Sequence, residues 1–198
     1  MISIGIDGKT FSVVRLNEFS SEEEIAAVRS LFSGFSCPLN EEVESFLRND
    51  ALGFECRNQA VTYLIFAENR FTAFFTLANK LIQVQKSKIS KTVLKRLLRT
   101  AEDSGGDFLN VPSVLVAQLG KNYADGNNSL ITGQELLLII NYFVREIQKY
   151  IGGAVYFLEC DSDRHKVIEF YKRNGFVLFS ERKAKSNGVN LLQFMKKI

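Results

Sequence analysis

Apolar residues recur along this chain with two different periods, which divide it into helices and strands. Apolar residues at helical spacing follow Ser20 and Ser21, and Glu23 and Glu24 three residues on give a doubled capping-box signature, so the pattern predicts a first helix. Asn40 is the predicted cap of a second, short helix. Two β-rich runs, Val61–Ala67 and Phe71–Ala78, are separated by a short polar turn and predict an antiparallel hairpin.

The second half of the chain alternates between strand and helix patterns. The predicted elements are a helix over Lys86–Arg99, a strand over Val111–Leu119, a helix over Gly133–Tyr150, a strand over Ala154–Leu158, a helix from Asp161 or Ser162 to Asn174, and strands over Phe176–Arg182 and Val189–Met195. This order predicts a mixed α+β protein that begins with helices.

Composition narrows the class of protein. The chain has 198 residues, 46% hydrophobic residues, 17 phenylalanines and a net charge of +3, so we expect one globular domain over residues 1–198. Three scattered cysteines and one histidine predict neither a disulfide framework nor a metal site. With no leader-like start and no long apolar run, the sequence predicts a soluble cytoplasmic protein without a membrane partner.

One stretch carries an unusual charge. Between positions 86 and 99 there are six basic residues and no acid. Such a run is most often the solvated face of an amphipathic helix, and the sharper alternative is a patch for a phosphate-rich partner such as tRNA or the 3′-phosphate of coenzyme A.

The polar segment before the Gly133 helix is a first place for chemistry. A helix N-terminus offers unpaired N–H groups and partial positive charge, so a strand–loop–helix junction can hold a phosphate. The loop here matches neither the Walker A nor the Rossmann pattern, and an ordinary structural turn is the competing interpretation.

A second place is the C-terminal run from Phe170 to Phe176, which reads Phe-Tyr-Lys-Arg-Asn-Gly-Phe. It resembles the "FYxxxGF" signature of the GNAT (Gcn5-related) N-acetyltransferase superfamily. Upstream, the strand beginning at Val111 and the helix opening at Gly133 resemble that family's fourth strand and coenzyme A-binding helix. The order of elements matches over roughly residues 60–198, and the two early helices fit the family's first helical pair.

The resemblance implies an α/β/α sandwich: a GNAT-like mixed, mostly antiparallel twisted sheet with a splayed central strand pair flanked by helices. It also implies acetyl-CoA as co-substrate and Tyr171 as the acid that protonates the departing thiolate. The residues that the resemblance places against coenzyme A are Leu119, Gly120 and Lys121 on the strand and Ser129, Leu130, Ile131, Thr132, Gly133 and Gln134 before and at the helix start.

The loop departs from the family pattern (Gln/Arg)-x-x-Gly-x-(Gly/Ala). Aligned with it, positions 128–133 keep only the last glycine, Gly133, and Ile131 stands where glycine is usual, which predicts a narrower approach for the phosphates. No general base is obvious. Glu159, at the end of the predicted fifth strand, is the candidate, and a solvated acid near Arg164 is the competing interpretation.

The resulting hypothesis is an N-acetyltransferase that moves an acetyl group from acetyl-CoA to a primary amine by direct attack. The acceptor is a small molecule, a protein or an aminoacyl-tRNA. Aminoacyl-tRNA is included because some GNAT relatives are toxins that acetylate it. The alternatives are a non-catalytic GNAT-fold binding module with a decayed phosphate loop and a transferase for longer acyl chains. Exposed sheet edges make a homodimer a further expectation.

Overall fold

The computed structural model describes residues 1–103, 105–153, 155–184 and 188–198. Its strands are β1 (Ile2–Ile6), β2 (Lys9–Arg15), β3 (Val61–Ala67), β4 (Arg70–Gln85), β5 (Phe108–Lys121), β6 (Val155–Asp161), β7 (Val177–Lys183) and β8 (Asn190–Lys197). Its helices are α1 (Glu22–Ser33), α2 (Glu41–Ser45), α3 (Ala51–Cys56), α4 (Lys91–Leu97), α5 (Gly133–Ile151) and α6 (His165–Arg173).

The described strands form an eight-stranded sheet in the order β1-β2-β3-β4-β5-β6-β8-β7. Contacts divide the chain into two compact units, one made of Met1–Ala78 and Ala117–Ile140, the other of Asn79–Val116 and Asn141–Ile198. We describe each unit by itself, and the single domain expected over residues 1–198 stays a prediction.

The first unit begins with a hairpin that the sequence pattern did not predict. Strands β1 and β2 pair antiparallel from Ile2–Val13 to Ile6–Lys9, and β2 continues onto β3. The turn places Asp7 and Gly8 at positive φ, 48° and 80°. β1 was missed because it lies at the sheet edge and its side chains are mostly exposed, so it lacks the buried alternation that marks a strand.

The capped helices of the first unit form as the sequence predicts. The Ser21 side chain accepts from the Glu24 amide at 3.2 Å, and the Glu24 carboxylate accepts from the Ser21 amide at 3.0 Å. The Asn40 side chain caps α2 by accepting from the Glu42 and Val43 amides, at 3.2 and 3.4 Å. These helices pack on β3 and β4 around a buried cluster of Leu16, Val28, Phe32, Phe35, Cys37, Val43, Leu47, Ala51, Leu64, Phe71 and Phe74.

The second unit contains the parallel pair. β5 pairs with β6 from Ser113–Val155 to Leu115–Phe157, while the two strands extend further, to Lys121 and Asp161. β6 and β7 both pair antiparallel with β8. The strand predicted over Ala154–Leu158 continues to Asp161 at its C-terminal end. Ala154 lies outside the described residues.

The long basic helix predicted over Lys86–Arg99 is wrong in its bounds. The chain instead makes a short 3-10 turn over Lys86–Lys88, and α4 starts only after Ser90, whose hydroxyl accepts from the Val93 amide at 3.3 Å. Ser90 ends the first turn because its side chain caps a new helix more favourably than it continues the old one.

The mixed, mostly antiparallel sheet expected from the resemblance is present. Among the described residues, no helix is long and apolar enough to cross a membrane.

Candidate active site

The end of α6 holds the signature tyrosine in a fixed position. Gly175 has a φ of 81°, the left-handed conformation typical of a residue just past a helix. The Phe176 amide then donates to the Tyr171 carbonyl at 3.1 Å. This turn folds Phe176 back onto the helix, so its ring lies 5.6 Å from that of Tyr171, measured between centroids.

Tyr171 is a buried side chain whose hydroxyl has no partner among the described residues. It is 6% exposed and also contacts Phe194, with 6.1 Å between ring centroids. Within the described part of the chain, its hydroxyl makes no hydrogen bond. Burial raises the pKa of Tyr171, and Cys160 adds to the shift, so the phenol stays protonated at neutral pH. A protonated, unpartnered phenol is a group that can donate to a thiolate.

Glu159 does not stand free at the end of β6. Its Oε1 accepts from Arg182 Nε at 2.8 Å and from Gln193 Nε2 at 2.6 Å, and its Oε2 pairs with Arg182 Nη2. The competing interpretation named Arg164, which instead pairs with Asp161 at 2.8 Å. Both carboxylate oxygens of Glu159 therefore have partners, and its role as a base stays a prediction.

The end of β5 is shaped by a glycine. Gly120 is buried, and a Cβ built there would lie 2.6 Å from Val43 Cγ1 of α2 and 3.4 Å from the Phe74 ring. Glycine is needed because α2 packs directly on the strand backbone at this point. The neighbouring Leu119 and Lys121 are partly buried, and their backbone contacts with pantetheine stay predictions.

Thr132 and Glu135 cap α5. The Glu135 amide donates to the Thr132 hydroxyl at 3.1 Å, and the Thr132 amide donates to the Glu135 carboxylate at 2.6 Å. This is a capping box. It uses two of the amides at the helix start, which leaves those of Gly133 and Gln134 without an intrahelical partner.

Two lysines hold the loop in front of α5. Lys121 Nζ donates to the carbonyls of Asn128 at 2.9 Å and Ile131 at 3.0 Å. Lys9 Nζ lies 3.0 Å from the Glu135 carboxylate and donates to the Leu130 carbonyl at 3.4 Å. The lysines thus bind the outward carbonyls of a loop that lacks the family's glycines.

The charges at this helix start are unevenly compensated. Burial lowers the pKa of Lys121, while the nearby Glu135 opposes that shift. Burial alone raises the pKa of Glu135, but hydrogen bonds from Thr132 and Lys9 outweigh it, so its pKa is lowered and the group is ionised. Two ammonium groups and one carboxylate leave a net positive charge, to which the helix dipole adds.

Ile131 is 0% exposed, so its side chain packs inward. The narrower approach for the phosphates expected at this position stays a prediction. Ser129 is exposed, and its hydroxyl donates to the Gly126 carbonyl at 2.7 Å. Thr132 and Gln134 are exposed, while Leu130 and Gly133 are partly buried.

Sequence reasoning missed Lys9 and Glu135. The Thr132-x-x-Glu135 spacing is itself a capping-box signal and was available in the sequence. Nothing near Lys9 points to a loop 121 residues further along the chain. It reaches the loop only because the unpredicted strand β2 carries it there.

Cys160, His165 and clusters of metal-binding side chains remain to be considered as chemical groups. Cys160 is buried, and burial raises the pKa of its thiol to about 11, so the group is not a ready nucleophile. His165 is exposed at the start of α6. Among the described residues, no cluster of three or more His, Cys, Asp or Glu side chains could hold a metal ion.

Three solved structures show the fold class to which this arrangement belongs. A tyrosine-to-phenylalanine mutant of KacT is 19% identical with a TM-score of 0.62, covering 94% of both chains. AtaT complexed with acetyl-methionyl-tRNAfMet is 17% identical with a TM-score of 0.58, covering 92% of this chain and 93% of the other. AtaTR bound with acetyl-CoA is 15% identical with a TM-score of 0.56, covering 94% and 92%.

Identities this low show a shared fold over nearly the whole chain. No protein-family model matches the sequence, and no curated protein matches it either.

Proposed function

We propose that the protein is an acetyl-CoA-dependent N-acetyltransferase that acts on a primary amine. The observation that carries the proposal is Tyr171, whose buried phenol makes no hydrogen bond within the described residues and is held by Phe176 and Phe194. Because the described residues give this hydroxyl no partner, it is available to donate to a bound substrate.

The chemistry is one displacement without a covalent enzyme intermediate. The amine nitrogen attacks the thioester carbonyl, a C–N bond forms, the C–S bond breaks, and Tyr171 gives its proton to the departing thiolate. Backbone N–H groups at the end of β5 polarise the carbonyl. The proton released by the amine goes to Glu159 or to water, and Glu159 can take it only when its contact with Arg182 opens.

Coenzyme A phosphates fit the start of α5. Among the described residues the amides of Gly133 and Gln134 have no partner there, and Lys9 and Lys121 lie within the same unit beside the loop. The two ammonium groups supply the positive charge that compensates for the loop's missing glutamine or arginine, while Glu135 keeps the helix start capped.

Aminoacyl-tRNA is the first acceptor to test. Structures of similar fold include AtaT complexed with acetyl-methionyl-tRNAfMet, and the α-amino group of an aminoacyl ester is a primary amine. Small amines and protein amino groups follow as alternatives, together with longer acyl-CoA donors.

Calorimetric titration of the full chain with acetyl-CoA and with coenzyme A tests the donor site. We expect micromolar binding, followed by transfer of labelled acetyl groups to aminoacyl-tRNA or another amine. No binding at about 1 mM, equivalent to less than roughly 4 kcal/mol, overturns the proposal.

The second candidate is a non-catalytic binding module. It is favoured by the capping box, in which the Thr132 amide, one of the amides implied for phosphate binding, already donates to Glu135 at 2.6 Å. Acetyl-CoA binding without transfer to any amine would identify this function.

A further inference from the structure

A cationic cleft lies in the second unit, formed by α4 and the end of β8. It has a volume of about 400 Å³ and is lined by Thr92 and the five cations Lys91, Lys95, Arg96, Arg99 and Lys197. None of the described residues that line it is acidic. We name this surface the α4 cleft.

The five cations are not neutralised. In the described ranges, none of their side chains forms an ion pair or a hydrogen bond with another residue. Lys91 even occupies the first position of α4, where the helix dipole disfavours a cation, and α4 has no acid in its first turn. Lys91 and Lys95 are one helical turn apart and repel each other. The local cost of this arrangement is explained by an anionic ligand.

The structure separates the basic run into two groups. Lys86 turns away to Asp103, with 2.7 Å between Nζ and Oδ1, and donates to the Gly106 carbonyl. Lys88 is exposed and does not line the cleft. The α4 cleft therefore combines four cations of the basic run with Lys197, which is distant in sequence. A helix face that is merely solvated needs no cation from a second element.

A small apolar cavity of about 130 Å³ adjoins the cleft and shares Arg96 and Lys197 with it. Its other lining residues are Val93, Leu97, Val155, Gly175, Val177 and Met195. A charged surface beside an apolar slot matches a strand whose phosphates and unpaired bases are both accessible. The seven residues of α4 extend over about 10 Å, more than one phosphate group spans.

We propose that the α4 cleft binds a single-stranded segment of RNA, with phosphates on the cations and a base edge at the apolar cavity. The inference deepens the proposed function and rests on it for the role of that RNA as an acyl acceptor. RNA binding itself involves neither Tyr171 nor the α5 loop, so the two proposals fail separately.

Fluorescence anisotropy with a labelled single-stranded RNA of about 12 nucleotides, without acetyl-CoA, tests the cleft. Five phosphate contacts give a slope of log K against log salt of about −3.5, or roughly 100-fold weaker binding between about 50 and 200 mM salt. Lys95→Gln/Arg99→Gln is expected to make that slope shallower by about 1.4 and to weaken binding at low salt at least about tenfold. The matched control, Lys88→Gln/Lys166→Gln, removes the same charge from exposed residues outside the cleft.

Selective loss in the cleft variant supports the proposal, provided that both variants keep the wild-type circular dichroism and acetyl-CoA affinity. Equal loss in both variants overturns it, because binding then follows net charge alone. Displacement of the RNA by tripolyphosphate at equal phosphate concentration, or binding to anionic phospholipid vesicles in place of RNA, also overturns it. Absent RNA binding with intact acetyl-CoA binding refutes this inference alone, whereas the reverse result refutes the proposed function.

Discussion

Removing one oxygen atom from Tyr171 separates its structural role from its chemical role. In the wild-type chain the ring packs against Phe176 and Phe194, while the hydroxyl bonds to no described residue. Tyr171→Phe keeps every ring contact and deletes only the group that we assign to proton donation. Tyr156→Phe is the matched control, because Tyr156 is 0% exposed and its hydroxyl also lacks a partner in the described residues.

The structure fixes the expected magnitudes. Neither substitution breaks an internal hydrogen bond, so the free energy of unfolding is expected to stay within about 1 kcal/mol of wild type or to rise. Loss of a general acid lowers kcat by about 10²-fold or more, which corresponds to roughly 2.7 kcal/mol of transition-state free energy. We therefore expect Tyr171→Phe to be stable and slow, and Tyr156→Phe to be stable and active.

Urea unfolding and acetyl transfer measured on the same preparations test both parts. Acetyl-CoA affinity is expected to remain unchanged in both variants, because neither hydroxyl is assigned to coenzyme binding. A Tyr171→Phe protein with wild-type kcat refutes the proton-donor role. A loss of stability above about 2 kcal/mol shows instead that the hydroxyl has a structural partner.

Four further results are expected. Lys121→Met is expected to weaken acetyl-CoA binding about tenfold or more with a smaller change in kcat, because it frees two loop carbonyls, whereas Lys80→Met, an exposed lysine, leaves titrations unaltered. If Glu159 is the base, Glu159→Gln lowers kcat about 10²-fold in steady-state assays. A kcat that stays within a few-fold of wild type would show that Glu159 only forms the ion pair with Arg182. Gly120→Ala is expected to lower the free energy of unfolding by about 1–3 kcal/mol, since its Cβ meets α2, and an unchanged urea midpoint would contradict that packing. Burial raises the pKa of Tyr171 above its unfolded value of about 10, so the stability that the protonated phenol contributes is full below about pH 10 and is lost as the pH rises through the folded pKa. Raising the pH above about 10 should therefore lower the urea midpoint more for wild type than for Tyr171→Phe. Equal falls in the two proteins would argue against the raised pKa.

The fold was predictable wherever local signals agree with the sheet. The Ser21 and Asn40 caps and the turn at Gly175 are local chemistry, and each forms as its residues predict. β1 was not predictable because an exposed edge strand is stabilised by its neighbour and carries little pattern of its own. The predicted start of the basic helix is wrong because the cap at Ser90 determines where α4 begins.

In the candidate site, too, the parts set by local sequence were predictable and the parts set by long-range contacts were not. The seven-residue signature around Tyr171 is contiguous, so its geometry follows from a helix end and one glycine. The loop before α5 depends on Lys9, which lies 126 residues from Glu135. No window of sequence contains that pairing, and only the register of β2 on β3 brings it about.

The loop also shows why a missing motif is weak ground for excluding a binding site. Glycines in such a loop serve to turn backbone N–H groups toward phosphate without steric hindrance. Here the Ile131 side chain packs inward, and Lys121 binds the carbonyls of Asn128 and Ile131. The surface that remains carries two free amides and a net positive charge. At the proposed site, coenzyme A binding would depend on lysine charge more than on backbone geometry, so we expect its affinity to fall more steeply with added salt than in a glycine-rich loop.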